Sequence, residues 1–304
     1  MTAVTPLTTE PPLVAEKPSR ASVAKKRLSS PWASLFAIVI AVLWTIPTFG
    51  LLVSSFRPER AIKRTGWWTF FSDPTVTLDN YRSVFGADGG VNMADFFVNS
   101  LVICIPSVLI PLALASLAAY AFAWIDFKGK NFLFIAIFAL QIVPLQVTLL
   151  PLLKIFVDIN LTGTFWTLWL AHSTFALPLA IYLLHNFMRE VPAGLIEAAR
   201  VDGAGHVSIF FKVMLPLLTP ALAAFGIFQF LWVWNDLLVA LVFAGGGNEV
   251  APITLALANL SGTRGTAWQL LSAGAFVSIA VPVLVFLLLQ RYFVRGLLAG
   301  SVKG

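Results

Sequence analysis

The chain contains six stretches of mostly apolar residues, and this feature constrains its fold more than any other. A helix needs about 20 apolar residues to cross the hydrocarbon core of a bilayer, and within lipid each backbone N–H and C=O must be satisfied internally. The stretches lie at roughly 32–54, 97–125, 131–157, 164–187, 217–244 and 272–294. The sequence therefore predicts an all-α integral membrane protein with six transmembrane helices.

The composition excludes a water-soluble enzyme. Hydrophobic residues make up 59% of the chain and charged residues 11%, whereas a soluble domain carries about 25% charged residues. The single cysteine, Cys104, excludes an internal disulfide. The three histidines (His172, His185 and His206) are far apart in the sequence, so we predict no metal site.

The basic residues predict the orientation. With the N-terminus in the cytoplasm, thirteen Lys and Arg fall on the inner side and seven on the outer side, as the positive-inside rule requires. Six spans then return the C-terminus to the cytoplasm of a bacterial cell. This topology accounts for the pI of about 9.7, and no nucleic-acid partner is needed to explain it.

The termini differ from the apolar stretches. Residues 1–31 are polar and basic and have no apolar period, so we predict a disordered cytoplasmic tail. Residues 32–294 form the predicted transmembrane domain, and 295–304 form a short cytoplasmic tail. The first span is expected to stay attached as a signal-anchor.

One inner segment, 188–216, has its own helical pattern. Pro192 suits the first position of a helix, and Gly203 suits the left-handed residue that ends one. Between them, the apolar residues Leu195, Ile196 and Val201 are mixed with Glu197, Arg200 and Asp202, which predicts a short amphipathic helix. A second short helix is expected from about His206 to Met214. By this pattern alone, the segment could be a membrane-surface helix that merely anchors a loop.

The spacing in this segment resembles a known motif. Glu197-Ala198-Ala199 is followed by Asp202-Gly203 and, nineteen residues after the glutamate, by Pro216. This pattern, in the loop before the fifth of six spans, resembles the "EAA" loop of permease subunits in ATP-binding-cassette (ABC) importers. Further matches are Ser55-Phe56-Arg57-Pro58-Glu59, Asp79-Asn80-Tyr81, Asn99-Ser100, Ala118-Ala119-Tyr120, Trp234-Asn235-Asp236 and the ending Gly300-Ser301-Val302-Lys303-Gly304.

Together these motifs are similar to the carbohydrate-uptake branch, most of all to the smaller permease of maltose-type importers. The resemblance implies the type I importer permease fold, with the EAA loop as a coupling helix that docks on an ATPase subunit. It implies as partners a second, non-identical permease, two cytoplasmic ATPase subunits and an extracellular solute-binding protein that meets the loop before the last span. The only Gly-Lys pair, Gly129-Lys130, lacks the rest of a phosphate-binding loop, so ATP and Mg are expected on the partner ATPases.

Within the EAA motif, Glu197 is the strongest functional candidate, since a carboxylate on an exposed helix can pair with an arginine of a partner. Ala198 and Ala199 leave room for a close approach, and Gly203 sets the backbone shape. Asp202 is expected to cap the second helix or hold the turn. The alternative for Glu197 is a solvated surface charge.

A second group of candidates lies in the fifth predicted span. Asp236 is a charge within an apolar stretch, which marks a function or a buried pair. Gln229, Trp232 and Asn235 accompany it, and aromatic rings with amides suit a sugar. Tryptophans near the membrane interface are also ordinary anchors, so sugar contact and anchoring both remain open.

The sequence therefore predicts a non-catalytic permease subunit of an ATP-driven importer for maltose, maltodextrin or another α-glucoside. Two alternatives remain. One is a permease of the same family for another solute, such as trehalose or glycerol phosphate. The other is an ion-coupled secondary carrier, for which Asp236 is the only support.

Overall fold

A computed structural model describes residues 31–87, 92–260 and 267–299. Residues 1–30 of the predicted tail 1–31, part of the segment before the last span and the last five residues therefore lie outside the described residues, and Pro31 is the first residue of a helix. The described chain is almost entirely helical. It forms two units that meet between Leu51 and Leu52.

The described part of the first unit, residues 31–51, is most of helix α1, Pro31–Ser55. Its large apolar side chains are exposed on every side of the helix, among them Trp32 and Trp44. A helix that is apolar all round cannot face water, and at 25 residues α1 is long enough to span a bilayer.

In the second unit, three long helices form the centre. They are α4 (Met93–Trp124), α7 (Phe165–Glu190) and α10 (Leu215–Trp234). Helix α4 begins where the Asn92 side chain accepts a hydrogen bond from the Ala94 backbone N–H, and it packs more extensively against α7 than any other pair of elements in the described chain. The last span, α13 (Trp268–Ala299), packs against α10.

Shorter helices connect these spans. On the side of the predicted outer segments lie α2 (Glu59–Arg64), a 3-10 turn (Trp67–Phe71), α3 (Asp79–Val84), α11 (Leu238–Phe243) and α12 (Ile253–Leu260). On the opposite side lie α8 (Ala193–Val201) and α9 (His206–Ile209). Two further helices, α5 (Lys130–Ala139) and α6 (Leu145–Asp158), occupy the third predicted span.

The third predicted span, 131–157, is not one continuous helix. The helical segments Lys130–Ile142 and Leu145–Asp158 meet at an angle of 104°. Pro144 has no N–H to continue the helix, and it forces the preceding residue out of the helical region. Val143 is accordingly extended, with φ −72° and ψ 121°. The described residues thus contain five single-helix candidate spans, and a sixth if the bent pair crosses the membrane as one.

The fifth predicted span also differs from expectation. Helix α10 ends at Trp234, and α11 begins at Leu238 after a break, so 217–244 is not one continuous helix. At its other end, α9 runs through a π-helical turn, Phe210–Met214, directly into α10. The predicted second short helix is therefore the first part of a single 29-residue helix, His206–Trp234.

The buried apolar residues form two clusters at opposite ends of the central helices. The α12-side cluster includes Phe96, Leu168 and Trp234, and the α8-side cluster includes Ala119, Leu184 and Met214. Between the two lies a polar belt, consisting of the buried residues Ser107, His172, Ser173 and Gln229. The Gln229 amide donates to the Ser107 carbonyl at 3.4 Å within the belt.

Candidate functional site

Helix α8 contains Glu197-Ala198-Ala199 of the EAA motif and ends in a well-defined turn. Gly203 has φ +81°, which confirms the predicted left-handed residue. The Ala204 N–H donates to the Ala199 carbonyl at 2.9 Å, and the Gly203 N–H donates to the Arg200 carbonyl at 3.0 Å. These two bonds form a Schellman motif, which satisfies carbonyls that the helix end would leave free. Pro192 is predicted to be the first residue of this helix, but α8 begins one residue later, at Ala193.

The inner face of α8 is fixed to the central helices. Ile196 is 2% exposed and belongs to the α8-side cluster, and Ala199 packs against that cluster. Beyond the turn, the Tyr120 hydroxyl and the His206 Nδ1 lie 3.0 Å apart and link the end of α4 to the start of α9. The segment is thus held at both ends by the core.

The outer face of α8 is open. Glu197 and Ala198 are exposed, and in the part of the chain that the structure describes no hydrogen bond or ion pair involves the Glu197 carboxylate. Leu195 and Val201, the latter 87% exposed, add apolar surface. The exposed side chains of this anchored helix thus include the Glu197 carboxylate, the small Ala198, two apolar residues and the Arg200 guanidinium.

Asp202 does not cap the second helix as one alternative predicted. It is the exposed residue between Val201 and Gly203, and the residue that precedes α9 is Gly205. Among the described residues, no hydrogen bond involves the Asp202 side chain. Its backbone N–H donates to the Ala198 carbonyl at 3.0 Å, so Asp202 holds the turn through its main chain.

Asp236 occupies the break between α10 and α11. Its carboxylate accepts backbone hydrogen bonds from Val239 at 3.3 Å and from Ala240 at 3.1 Å, so it caps the start of α11. The His172 Nε2 lies 3.9 Å from it, and the Thr254 hydroxyl donates to its carbonyl at 2.6 Å. A charge that the sequence places inside an apolar span thus satisfies the backbone where that span is interrupted.

The three companions of Asp236 do not form one site with it. Gln229 lies in the polar belt, two turns away, and is 4% exposed. Asn235 is exposed, and its amide donates to the Leu231 carbonyl at 2.7 Å. Trp232 is half exposed and borders a small cavity of about 30 Å³ together with Gln229 and His172. Trp232 also borders a larger cavity of about 620 Å³, together with residues of α6 and α7.

Two motifs that the sequence left without a role meet in space. The Asn80 amide donates to the carbonyls of Ser55 and Arg57 at 2.9 and 2.8 Å, and the Tyr81 hydroxyl donates to the Ser55 hydroxyl at 2.9 Å. The Arg57 side chain is itself buried and donates to Thr69 at 3.0 Å. The first two of these motifs, Ser55-Phe56-Arg57-Pro58-Glu59 and Asp79-Asn80-Tyr81, therefore join the end of α1 to α3.

The motif Asn99-Ser100 has a similar role. The Asn99 amide donates to the carbonyls of Glu249 and Ala251, each at 3.1 Å, and the Ser100 hydroxyl accepts the Ile253 N–H at 2.8 Å. The predicted outer segment 245–271 is thus fixed to α4 over its first part. Two glycines in the later part of this segment, Gly262 and Gly265, lie outside the described residues.

The chain matches known transport proteins over most of its length. The family described as "Binding-protein-dependent transport system inner membrane component" matches residues 111–298. The osmoprotective compounds uptake permease protein GgtD of Synechocystis sp. is 54% identical over 270 residues, which cover 88% of this chain and 90% of the relative. The α-glucoside transport system permease protein AglG of Rhizobium meliloti is 48% identical, over 83% of this chain and 67% of the relative.

Two further matches extend the comparison. The trehalose transport system permease protein SugB of Mycobacterium tuberculosis is 36% identical, over 91% of this chain and 99% of the relative. A crystal structure of a bacterial ABC transporter that imports alginate shares the fold, with a TM-score of 0.67 at 19% identity over 91% of this chain and 99% of the other. The resemblance to ABC-importer permeases is thereby confirmed, and the chain belongs to the family of binding-protein-dependent transport system inner membrane components.

Proposed function

We propose that the chain is the permease subunit of an ATP-driven importer of maltose, maltodextrin or another α-glucoside. The α-glucoside permease AglG, at 48% identity, supports this substrate class. The 54% identical relative is named for osmoprotective compounds and SugB for trehalose, so small glycosides of these kinds are the first alternatives. Glycerol phosphate is less suited, because the middle of the described spans contains no Lys or Arg to meet a phosphate.

The observation that carries the proposal is the open face of α8. A transport cycle driven by ATP needs a firm mechanical contact between the ATPase and the spans. Helix α8 is anchored by Ile196 and exposes Glu197 and Ala198. Glu197 would pair with a cation on the ATPase, and the segment 188–216 would transmit closure of the ATPase dimer to α7 and α10.

The other partners follow from the same proposal. A second permease would complete the pathway, two ATPase subunits would bind ATP and Mg on the cytoplasmic side, and both termini would lie there. A solute-binding protein would meet the outer segment 245–271, whose start is fixed to α4 by Asn99. Gln229, Trp232, Asn235 and Asp236 would contribute to the pathway at most indirectly, since capping and internal hydrogen bonds already engage most of their polar groups.

The alternative of an ion-coupled carrier loses its support. It depended on Asp236 as a mid-membrane acid, and the capping bonds to Val239 and Ala240 give that carboxylate a structural reason to be there.

Charge reversal at Glu197 tests the coupling proposal. Breaking a partly buried charge pair costs about 2–5 kcal/mol. We expect Glu197→Ala to loosen the ATPase and Glu197→Lys to release it further, because lysine adds repulsion against the partner cation. The measurements are the amount of ATPase that copurifies with the complex and uptake of labelled maltose and trehalose into proteoliposomes.

The matched control is Asp158→Lys, the same charge change at an exposed carboxylate on α6. It is expected to leave both ATPase retention and uptake unchanged. Normal retention and uptake with Glu197→Lys would show that α8 is not the coupling element. If neither sugar enters through the unmodified complex while other glycosides do, the substrate class must be revised and the coupling result still stands.

A further inference from the structure

A cavity opens beside the start of α8, at the ends of three other helices. It has a volume of about 650 Å³ and lies between the end of α4, the start of α5 and the end of α7. Its polar lining includes Trp124, Lys130, Asn131, His185 and Arg189. A volume of this size falls within the range of about 300–1,000 Å³ that small-molecule sites occupy.

Two buried polar atoms at this cavity have no partner in the part of the chain that the structure describes. They are the indole Nε1 of Trp124 and the Nδ1 of His185. The His185 side chain is only 8% exposed. Buried polar groups are nearly always hydrogen-bonded, and the indole N–H can only donate. The Trp124 donor therefore lacks an acceptor, and an acceptor in the cavity would supply it.

The charges around the cavity favour an anion. Arg189 is exposed at the end of α7, and the Lys130 ammonium lies 3.3 Å from the Asp126 carboxylate, which is itself fully exposed to the surroundings. Glu190 also borders the cavity, so two cations face one lining carboxylate. A guanidinium, an ammonium and an indole N–H together match the oxygens of a phosphate group.

Helix α5, which supplies Lys130, Asn131 and Phe134 to the cavity, also has exposed apolar side chains outside it. Phe132 and Ile135 on this helix are 78% and 65% exposed, and Phe132 lies two residues from Lys130. A free anion has no use for such a surface, whereas an acyl chain does. Basic pockets between the ends of membrane helices are known places for anionic lipid headgroups.

We propose that this cavity binds the headgroup of an anionic phospholipid, whose acyl chains lie along α5. The phosphate is held by Arg189 and Lys130 and accepts the hydrogen bond that Trp124 otherwise lacks. The lipid then fills the space beside the first residues of α8. This site depends on the geometry of the cavity and not on the proposed substrate or on the direction of transport.

The test is native mass spectrometry of the intact transporter complex with added phosphatidylglycerol or phosphatidylcholine. We expect preferential retention of phosphatidylglycerol. Each cation near a membrane surface contributes about a fivefold factor in affinity for an anionic lipid. Lys130→Gln combined with Arg189→Gln should therefore weaken phosphatidylglycerol binding by about 25-fold, and Trp124→Phe should weaken it without any change in charge.

The matched control is Lys128→Gln, which removes an exposed lysine from the same turn but not from the cavity lining. It should leave binding unchanged. Equal binding of both lipids, or unchanged phosphatidylglycerol binding in the double variant, would overturn the proposal. Displacement of the lipid by excess inorganic phosphate would assign the cavity to free phosphate instead. If the double variant loses the ATPase from the complex but still binds phosphatidylglycerol, the cavity would be assigned to a protein partner.

Discussion

Gly245 and Gly246 have nearly the same backbone conformation in very different surroundings. Their φ values are +76° and +75°, both in the left-handed region. A Cβ on Gly245 would lie 2.8 Å from the Cα of Gly163, whereas a Cβ on Gly246 would meet no atom within 4 Å. The first glycine is therefore required by close packing and by conformation, and the second by conformation alone.

This difference gives a prediction at the residue scale. Gly245→Ala and Gly246→Ala both meet the left-handed penalty of about 1–2 kcal/mol. Gly245→Ala also meets an overpacking penalty of about 1–3 kcal/mol, because the opposing atom is backbone and cannot rotate away. We expect the lower unfolding midpoint for Gly245→Ala in thermal unfolding of the purified complex. Equal midpoints would mean that the contact with Gly163 contributes nothing.

These residues also show what sequence reasoning misses. The run Gly245-Gly246-Gly247 by itself would indicate a flexible segment, yet Gly245 is packed against Gly163 and Asn99 fixes the chain a few residues later. The partner of each contact lies more than 80 positions away. A single sequence contains no signal for such a pair.

At the scale of elements, the turn after α8 contains two glycines that differ in backbone conformation but not in steric surroundings. Gly203 and Gly205 lie in the same turn, and a Cβ on either would meet nothing within 4 Å. Only Gly203 has a positive φ, while Gly205 is extended, with φ −76° and ψ 169°. An alanine at either position therefore tests backbone conformation with no steric effect.

We expect Gly203→Ala to destabilise the α8 turn by about 1–2 kcal/mol and to reduce the ATPase that copurifies with the complex. Gly205→Ala should be neutral or slightly stabilising, since alanine adopts this conformation without strain. Limited proteolysis at 200–206 measures the opening of the turn. Equal protease sensitivity of the two variants would contradict the Schellman geometry as the source of the effect.

Elements with strong local signals were predictable, and elements set by tertiary contacts were not. The start of α8 near Pro192 and its end at Gly203 follow from proline and glycine chemistry. The 104° bend at Pro144 did not follow, because prolines also lie within the continuous helices α4 and α7. Whether a proline kinks or breaks a span depends on neighbours that resatisfy the backbone.

At the scale of the whole molecule, the two apolar clusters are expected to act independently. Leu168 and Leu184 lie on the same helix, α7, and both are almost fully buried, one in the α12-side cluster and one in the α8-side cluster. Leu→Ala at either position should cost about 2–5 kcal/mol. Because the two residues belong to separate clusters of buried side chains, with the polar belt between them, the double variant should be additive within about 0.5 kcal/mol.

The comparison pair is Leu184→Ala with Met214→Ala, since both residues belong to the α8-side cluster. Their double variant should depart from additivity by more than about 0.5 kcal/mol, because both substitutions remove side chains from one cluster of buried residues. Chemical unfolding of the purified complex gives all of these values. Strong coupling between Leu168 and Leu184 would show that the clusters form one core.

The polar belt also fixes how α4, α7 and α10 are positioned relative to one another along their axes. Lipid-facing apolar helices can slide along one another at little cost, since every turn offers similar surface. Ser107 on α4, Ser173 on α7 and Gln229 on α10 lie at one level. A slip of any of these helices by one turn, about 5.4 Å, would carry its polar group into an apolar cluster and separate the Gln229 amide from the Ser107 carbonyl. The three apolar helices are thereby held in one position relative to one another along the membrane normal.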